Sequence, residues 1–325
     1  MTARYNQQRA ITNTIMLLSR HPGSFPFERV ANGSVATIGS FDGLHLGHQR
    51  LLQHVFQEAR ARDLPSVVMS FEPTPKEFFL ADKPPARLMR FREKFEGLAS
   101  TGVDIFFCPR FNEAMKNITA DTFIRRLLVH ALNIRHLVIG DDFRFAQDRE
   151  GHLDMLRSAG RALDFTVEQV SSVIVADERV SSSAIRDALW DGHLDRATTL
   201  LGREYRMSGK VIVGDRVGRK LGYPTANVNL NRKQSAVMGI FAVRVSGTDW
   251  GPLDAVASVG TRPTFGGIKP LLEVHIFDFD KNIYGEYIHV DFVARLRSEE
   301  KFDDVDKLVD QMHRDSALAK KILAG

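Results

Sequence analysis

The sequence holds a single cysteine in 325 residues, Cys108. No internal disulfide can form, and a zinc site built on cysteines lacks the thiolates it would need. No apolar run approaches the ~20 residues of a membrane-spanning helix. The short apolar stretch Ile15–Leu18 has neither a full hydrophobic region nor a small-residue cleavage site behind it. These absences predict a cytoplasmic protein in which residues 1–20 form a loosely attached extension. Charge of one sign is also lacking. Residues 1–200 carry 25 Lys and Arg against 24 Asp and Glu, and residues 201–325 carry 19 against 16, for a net charge of +4 overall. A nucleic-acid surface needs a basic stripe with interleaved aromatics, and none is present, so neither nucleic acid nor membrane is expected as a partner. There is no G-x-x-x-x-G-K-[ST] segment, which excludes a simple P-loop kinase. Internal repeats and low-complexity stretches are absent as well.

With 43% hydrophobic and 26% charged residues, the chain can bury a sizeable core without covalent staples, and its length predicts two domains. The first alternates strand and helix patterns. Strands are expected at Val35–Ser40, Ser66–Phe71, Asp104–Cys108, His136–Ile139 and Asp164–Val170. Helices are expected at Gly47–Arg62, Phe91–Ser100, Ala120–Leu132, Leu153–Ala159 and from Ser182. Such alternation implies a parallel sheet covered on both faces, binding ligands beyond the carboxyl ends of its strands. After about residue 200 the pattern changes to short strands: Arg206–Val213, Phe241–Ser246, Leu253–Val259, Leu271–Phe277 and Tyr287–Val293. That predicts a small antiparallel barrel or sandwich. A last amphipathic helix carries Val305, Leu308, Val309 and Met312 on one face.

Thr37–His48, TIGSFDGLHLGH, runs from an apolar strand through a glycine-rich turn into a helix. Gly39 and Gly43 allow a tight turn and close approach of a ligand. Gly47 begins a helix whose free N–H groups favour phosphate. His45 and His48, with two residues between them, could donate hydrogen bonds to phosphate oxygens as charge develops. The pattern resembles the HxGH nucleotidyltransferases, and its Phe41-Asp42-Gly43 form resembles the bacterial bifunctional riboflavin kinase/FAD synthetase family. Further segments match in order: Phe71-Glu72-Pro73-Thr74-Pro75, Gly140-Asp141-Asp142-Phe143-Arg144-Phe145, and Val180-Ser181-Ser182-Ser183-Ala184-Ile185-Arg186. Ser181–Ser183 is also a good helix N-cap cluster. The resemblance implies that Ser182, Ser183 and Arg186 bind ATP phosphates, with Arg186 supplying a permanently charged donor fork. It implies that Asp42 and Asp142 bind the flavin or hold the loop, and that Gly39, Phe41 and Gly47 line the nucleotide site. Two departures stand out: Phe145-Ala146-Gln147 where the family has F-G-K, and Ser183 where it has Thr.

In the second half, Gly214–Asn227, GDRVGRKLGYPTAN, resembles the riboflavin kinase signature. By that resemblance Thr225 ligates Mg²⁺, Asn227 and Pro224 help hold the metal–ATP complex, and Gly218 and Lys220 belong to a loop over the phosphates. Gly239–Val243, Ser258–Phe265 and Glu273–Phe277 match further family segments, with Ser258 in place of the usual Asn. Glu273 then stands as general base. Alternation puts Glu273 and His275 on one strand face, which a plain solvent face would also explain. Leu296–Phe302 resembles the family's flavin-site segment, making Arg297 and Glu299 candidates there.

The resemblance spans about residues 30–315. It implies a Rossmann-like FMN adenylyltransferase domain over 1–195 and an antiparallel β-barrel riboflavin kinase domain with a terminal helix over 196–325. The expected small-molecule partners are riboflavin, FMN and ATP with Mg²⁺, with self-association at most weak. Two other readings compete. One is an HxGH transferase with a different acceptor, which the second-half motifs oppose. The other is a flavin-binding regulator without chemistry, which His45, His48, Thr225, Asn227 and Glu273 oppose.

Overall fold

The computed structural model describes residues 15–214, 218, 221–264 and 267–325. The chain forms two compact units. One comprises residues up to Leu44, His48–Asp82 and Lys94–Ser172. The other comprises His45–Gly47, Lys83–Glu93 and Val173–Gly325.

The first unit is built on six strands: β1 (Leu17–Ser19), β2 (Ser34–Ile38), β3 (Ser66–Met69), β4 (Ile105–Phe107), β5 (Ile134–Gly140) and β6 (Thr166–Val170). They lie in the order β1-β4-β3-β2-β5-β6, every pair parallel. All residues of β2, β3 and β4 are buried, as continuous apolar strands in a doubly covered parallel sheet must be. The helical segments are α1 (Leu46–Arg62), α2 (Pro75–Phe79), α3 (Phe91–Thr101), α4 (Glu113–Lys116), α5 (Ala120–Thr122) and α6 (Leu153–Leu163). Strand order reverses between β2 and β5, so the turn leaving β2 lies at the switch point where open sheets of this kind receive ligands.

Two expectations need correction. Residues 17–19 are not loosely attached, because they pair with β4 as an edge strand; three residues are too few to show a period. The helix expected at Ala120–Leu132 continues from α5 as a π-helix over Phe123–Ala131. Leu132 N–H reaches back five residues to the Leu127 carbonyl at 3.0 Å, and the spacing of apolar residues does not separate that bonding from the α pattern.

In the second unit a two-stranded ribbon, β7 (Ile174–Val175) and β8 (Glu178–Arg179), precedes α7 (Ser182–Asp191) and α8 (Leu194–Leu201). Then come β9 (Tyr205–Ile212), β10 (Ala226–Asn229), β11 (Gly239–Ser246), β12 (Leu253–Thr264), β13 (Gly267–Ile276), β14 (Tyr287–Arg297) and α9 (Val305–Leu323). Strands β9–β14 close as an antiparallel barrel in the order β10-β13-β12-β11-β14-β9. This decides between barrel and sandwich. Phe241, Val243, Val245, Leu272, Val274 and Phe292 fill its interior. Helix α9 packs outside the wall, Ala319 and Leu323 clustering with Ala242 and Phe277. Val305, expected on its apolar face, is exposed.

The segment Lys83–Glu93 is fastened to the barrel by a buried carboxylate. Glu93 Oε1 accepts from Ser208 N–H at 2.8 Å, and Oε2 accepts from Arg90 N–H and the Arg232 guanidinium, both at 2.6 Å. Three charge-assisted bonds offset the desolvation of the Arg232–Glu93 pair. Among the described residues, no helix is long and apolar enough to cross a membrane.

Candidate active sites

The second unit contains a cavity of ≈ 480 Å³ against the outer wall of the barrel. Its position follows from strand register. Arg297 pairs with Ile240, Ile240 with Ser258, Ser258 with Glu273, and Glu273 with Asn227. These five residues, from five strands and scattered from position 227 to position 297, form one row across the sheet, and all five line the cavity. Cross-strand neighbours on one face stand about 4.5–5.5 Å apart, so the row brings a carboxylate, an amide, a hydroxyl and a guanidinium together. Glu273 and His275 are half-buried, while Leu272, Val274 and Ile276 point into the core. The outward face of β13 is therefore the ligand side, roofed by Leu308, Met312, Asp315 and Ser316 of α9.

The loop before β10 is shaped by close backbone contacts. Tyr223 N–H and Leu221 N–H donate to the Gly218 carbonyl at 2.8 and 3.0 Å. A Cβ on Gly218 would stand 2.3 Å from the Tyr223 carbonyl and 3.3 Å from Thr225 Oγ1. One on Gly214 would stand 2.5 Å from the Asn227 amide nitrogen. His275 donates from Nδ1 to the Pro224 carbonyl at 2.9 Å, and the Tyr223 ring meets the His275 ring edge-on at 5.0 Å. The structure thus gathers Gly218, Thr225, Asn227, Glu273, Arg297 and Glu299 around one cavity. Pro224 touches it through His275. Lys220 lies outside the described residues.

Sequence reasoning misses Asp315. It is buried and grips Arg297 through contacts of 2.8 to 3.1 Å, which sets the guanidinium in place. A charged residue following Leu308 and Met312 on the inner side of an amphipathic helix is the available signal. Ser258, Tyr223 and His275 do not stand out as site residues in the sequence because alternation does not say which barrel face holds ligand.

Glu299 lies across the Gly260 backbone, where a Cβ would fall 2.1 Å from its Oε1. Burial raises its carboxyl above the ordinary value, opposed by a hydrogen bond from Ser258 and the charge of Arg297. A carboxyl that holds its proton more tightly folded than unfolded adds stability at low pH and loses it as pH rises through the folded pKa. Glu299→Gln, which cannot ionise, is therefore expected to raise the melting temperature slightly near pH 8, the exposure of the side chain keeping the effect small. The gain should vanish once the medium is acidic enough to protonate the native carboxyl. Paired melts of both proteins across that range check this; an equal shift at every pH would assign the effect to packing.

In the first unit the turn leaving β2 is tightly wound. Phe41 and Leu44 adopt positive φ of 49° and 44°, alongside Gly43 at 91°. Left-handed backbone at two non-glycine residues stores strain of about 1–3 kcal/mol each and is typical of functional turns. A Cβ on Gly39 would stand 3.1 Å from the Phe41 ring. Phe41 and Asp42 are buried, and the Phe41 ring lies 5.1 Å from that of half-buried His48. Asp142 is exposed, and its neighbour Asp141 accepts from Ser172 N–H and Oγ–H at 2.8 Å.

The remaining motif residues belong to the second unit. His45 is buried, its imidazole packed on Gly47, where a Cβ would stand 3.2 Å from the ring and 3.8 Å from the Val180 carbonyl. Ser181 is the N-cap of α7, accepting from Ala184 N–H at 3.1 Å, so Ser182 and Ser183 occupy its first turn. Arg186 donates from Nε to the Ala86 carbonyl at 2.6 Å.

Comparison with known proteins agrees with both halves. A family model for FAD synthetase matches residues 27–184, and one for riboflavin kinase matches residues 201–323. The chain is 45% identical over 289 residues to the bifunctional riboflavin kinase/FMN adenylyltransferase of Escherichia coli (strain K12), covering 89% of this chain and 92% of that one. It is 42% identical to the Haemophilus influenzae protein of the same name, covering 90% and 95%. Among solved structures, a Streptococcus pneumoniae protein described as a macrolide-efflux protein superposes with a TM-score of 0.78 at 32% identity, covering 94% and 99%.

Proposed function

Because the chain belongs to the bifunctional riboflavin kinase/FMN adenylyltransferase family, we propose an assignment of its two reactions to the residues described above. The protein is a flavin-cofactor enzyme: it phosphorylates riboflavin to FMN with ATP, then adenylylates FMN to FAD with a second ATP, releasing pyrophosphate. We divide these between an adenylyltransferase domain over residues 1–195 and a kinase domain over 196–325.

In the kinase reaction Glu273 takes the proton from the ribityl 5′-hydroxyl of riboflavin. That oxygen bonds to the γ-phosphorus of ATP as the bond to the β-phosphate oxygen breaks, and ADP leaves. The row Asn227–Glu273–Ser258 along the cavity wall is the observation that carries this reading. Gly218 lets the loop approach the phosphates, with Lys220 assigned by resemblance alone. Arg297, held by Asp315, and Glu299 take the flavin side. Thr225 and Asn227 present hard oxygen donors suited to Mg²⁺, which when bound would neutralise phosphate charge.

For adenylyl transfer a terminal phosphate oxygen of FMN attacks the α-phosphorus of ATP and pyrophosphate departs, with no covalent enzyme intermediate. Catalysis is then positioning and charge stabilisation. His45, His48 and Arg186 offset developing charge. Ser182, Ser183 and Gly47 contact phosphates at helix starts, and Gly39, Phe41, Asp42 and Asp142 shape the nucleotide and flavin sites. A cytoplasmic location accords with a single, buried cysteine, Cys108. Incubation with riboflavin, ATP and Mg²⁺ followed by chromatography should yield FMN first and FAD after it. Recovery of unchanged riboflavin would overturn the assignment.

A further inference from the structure

Helix α1 continues well past its catalytic start. Glu58 lies eleven residues beyond Gly47, about 16 Å along the axis at ~1.5 Å per residue. There His54, Glu58 and Arg62 recur every four residues on one face, which meets His136 of β5 and Glu168 of β6. His136 and Thr166 are register partners, and Glu168, two positions on, shares the Thr166 face. His136 is only 6% exposed. Its Nε2 stands 3.4 Å from Glu168 Oε2 and 3.8 Å from Glu58 Oε2. The three donor atoms lie within 4.8 Å of one another.

We propose that Glu58, His136 and Glu168 bind one divalent transition-metal ion of the zinc class, apart from both active sites. Donors about 2.0–2.1 Å from a tetrahedral ion stand roughly 3.3–3.4 Å from each other. The His136–Glu168 edge already has that length, and a small rotation of the partly exposed Glu58 carboxylate brings in the third. The surroundings orient two ligands as metal sites commonly do. Nδ1 of His136 lies 2.7 Å from Thr166 Oγ1, whose own proton can go to the Arg135 carbonyl at 3.3 Å. Nδ1–H then donates to Thr166 and the Nε2 lone pair faces the carboxylates. His54 Nδ1 holds the other Glu168 oxygen at 2.7 Å. An imidazole with two carboxylates selects zinc-like ions over Mg²⁺. Arg62 is the competitor: it pairs with Glu58 and lies 3.4 Å from His136 Nδ1, yet its half-exposed side chain can swing into solvent.

The full chain, stripped with chelator, would be titrated calorimetrically with Zn²⁺ in excess Mg²⁺, and Co²⁺ would report geometry through its visible absorption. Ten further histidines, including His45 and His48, offer other sites, so the comparison with variants decides. Glu168→Gln, at a partly exposed carboxylate, and His136→Asn should each weaken one binding equivalent at least tenfold. Each should also abolish the Co²⁺ band and the Zn²⁺-dependent rise in melting temperature. Arg62→Ala should tighten the same equivalent severalfold. Folding of each variant is checked by its metal-free melt, and Glu168→Gln suffices if His136→Asn is unstable. Identical isotherms for the native chain and Glu168→Gln would overturn the proposal, as would no saturable binding at micromolar Zn²⁺. Either result would leave Glu58, His136, Glu168 and Arg62 as an ion-pair network, without bearing on the flavin reactions.

Discussion

Replacing Glu273 with Gln is expected to slow FMN formation from riboflavin on the order of 10³-fold, within the usual range for a positioned base. The same protein should still convert supplied FMN and ATP to FAD. The change keeps the side chain's volume and its place in the row between Asn227 and Ser258, so the cavity should persist. The amide can still accept a hydrogen bond from the substrate hydroxyl but cannot take its proton. About 4 kcal/mol is therefore added to the barrier, at about 1.36 kcal/mol per decade. The loss should fall on kcat with KM little altered, the pattern of an interaction made only in the transition state. Initial rates of the two half-reactions, measured separately by chromatography, check this. FMN formation within tenfold of native would remove Glu273 as base. Loss of both activities in a folded protein would break the assignment of separate sites.

The kinase cavity is partly legible in the amino-acid sequence. Motif identity points to Thr225, Asn227, Glu273, Arg297 and Glu299, and alternation correctly puts Glu273 and His275 on one face. Register stays hidden. Pairing of Arg297 with Ile240 depends on irregularities in the β11–β14 ladder after Ile240 and Ala242, and such shifts decide which residues oppose one another. Hidden too is which barrel face takes ligand, because α9 must first cover the outside. Asp315 becomes interpretable only through its place on Arg297. In the first unit, apolar runs and glycine signals locate the strands and the turn after β2. They do not carry the three-residue β1, the π-helix, or the grouping of His45–Gly47 with the residues of α7. Those features arise from contacts between segments far apart in the chain, which local pattern does not encode.

His48→Ala should give the reverse outcome: adenylyl transfer down on the order of 10²–10³-fold, the cost of removing one donor to developing charge, with riboflavin phosphorylation retained. Alanine is the best helix former, so the first turn of α1 should survive. At the strained Leu44 the backbone carbonyl accepts from Gln49 Nε2 at 2.9 Å, a bond that the substitution leaves in place. One competing explanation is that His48 serves chiefly as a packing partner for Phe41, whose ring it meets at 5.1 Å. His48→Phe separates the two, since it keeps a ring against Phe41 and removes both nitrogens. If the role is charge stabilisation, Phe should be as inactive as Ala and Gln should recover part of the rate through its amide donor. If the role is packing, Phe should be nearly native and Gln poor. The two single variants also test each other. Glu273→Gln and His48→Ala mixed in one reaction should make FAD from riboflavin although neither does so alone, because FMN released by one protein can be adenylylated by the other. Failure of the mixture, with each half-reaction intact on its own, would mean that FMN does not leave the protein on which it is made.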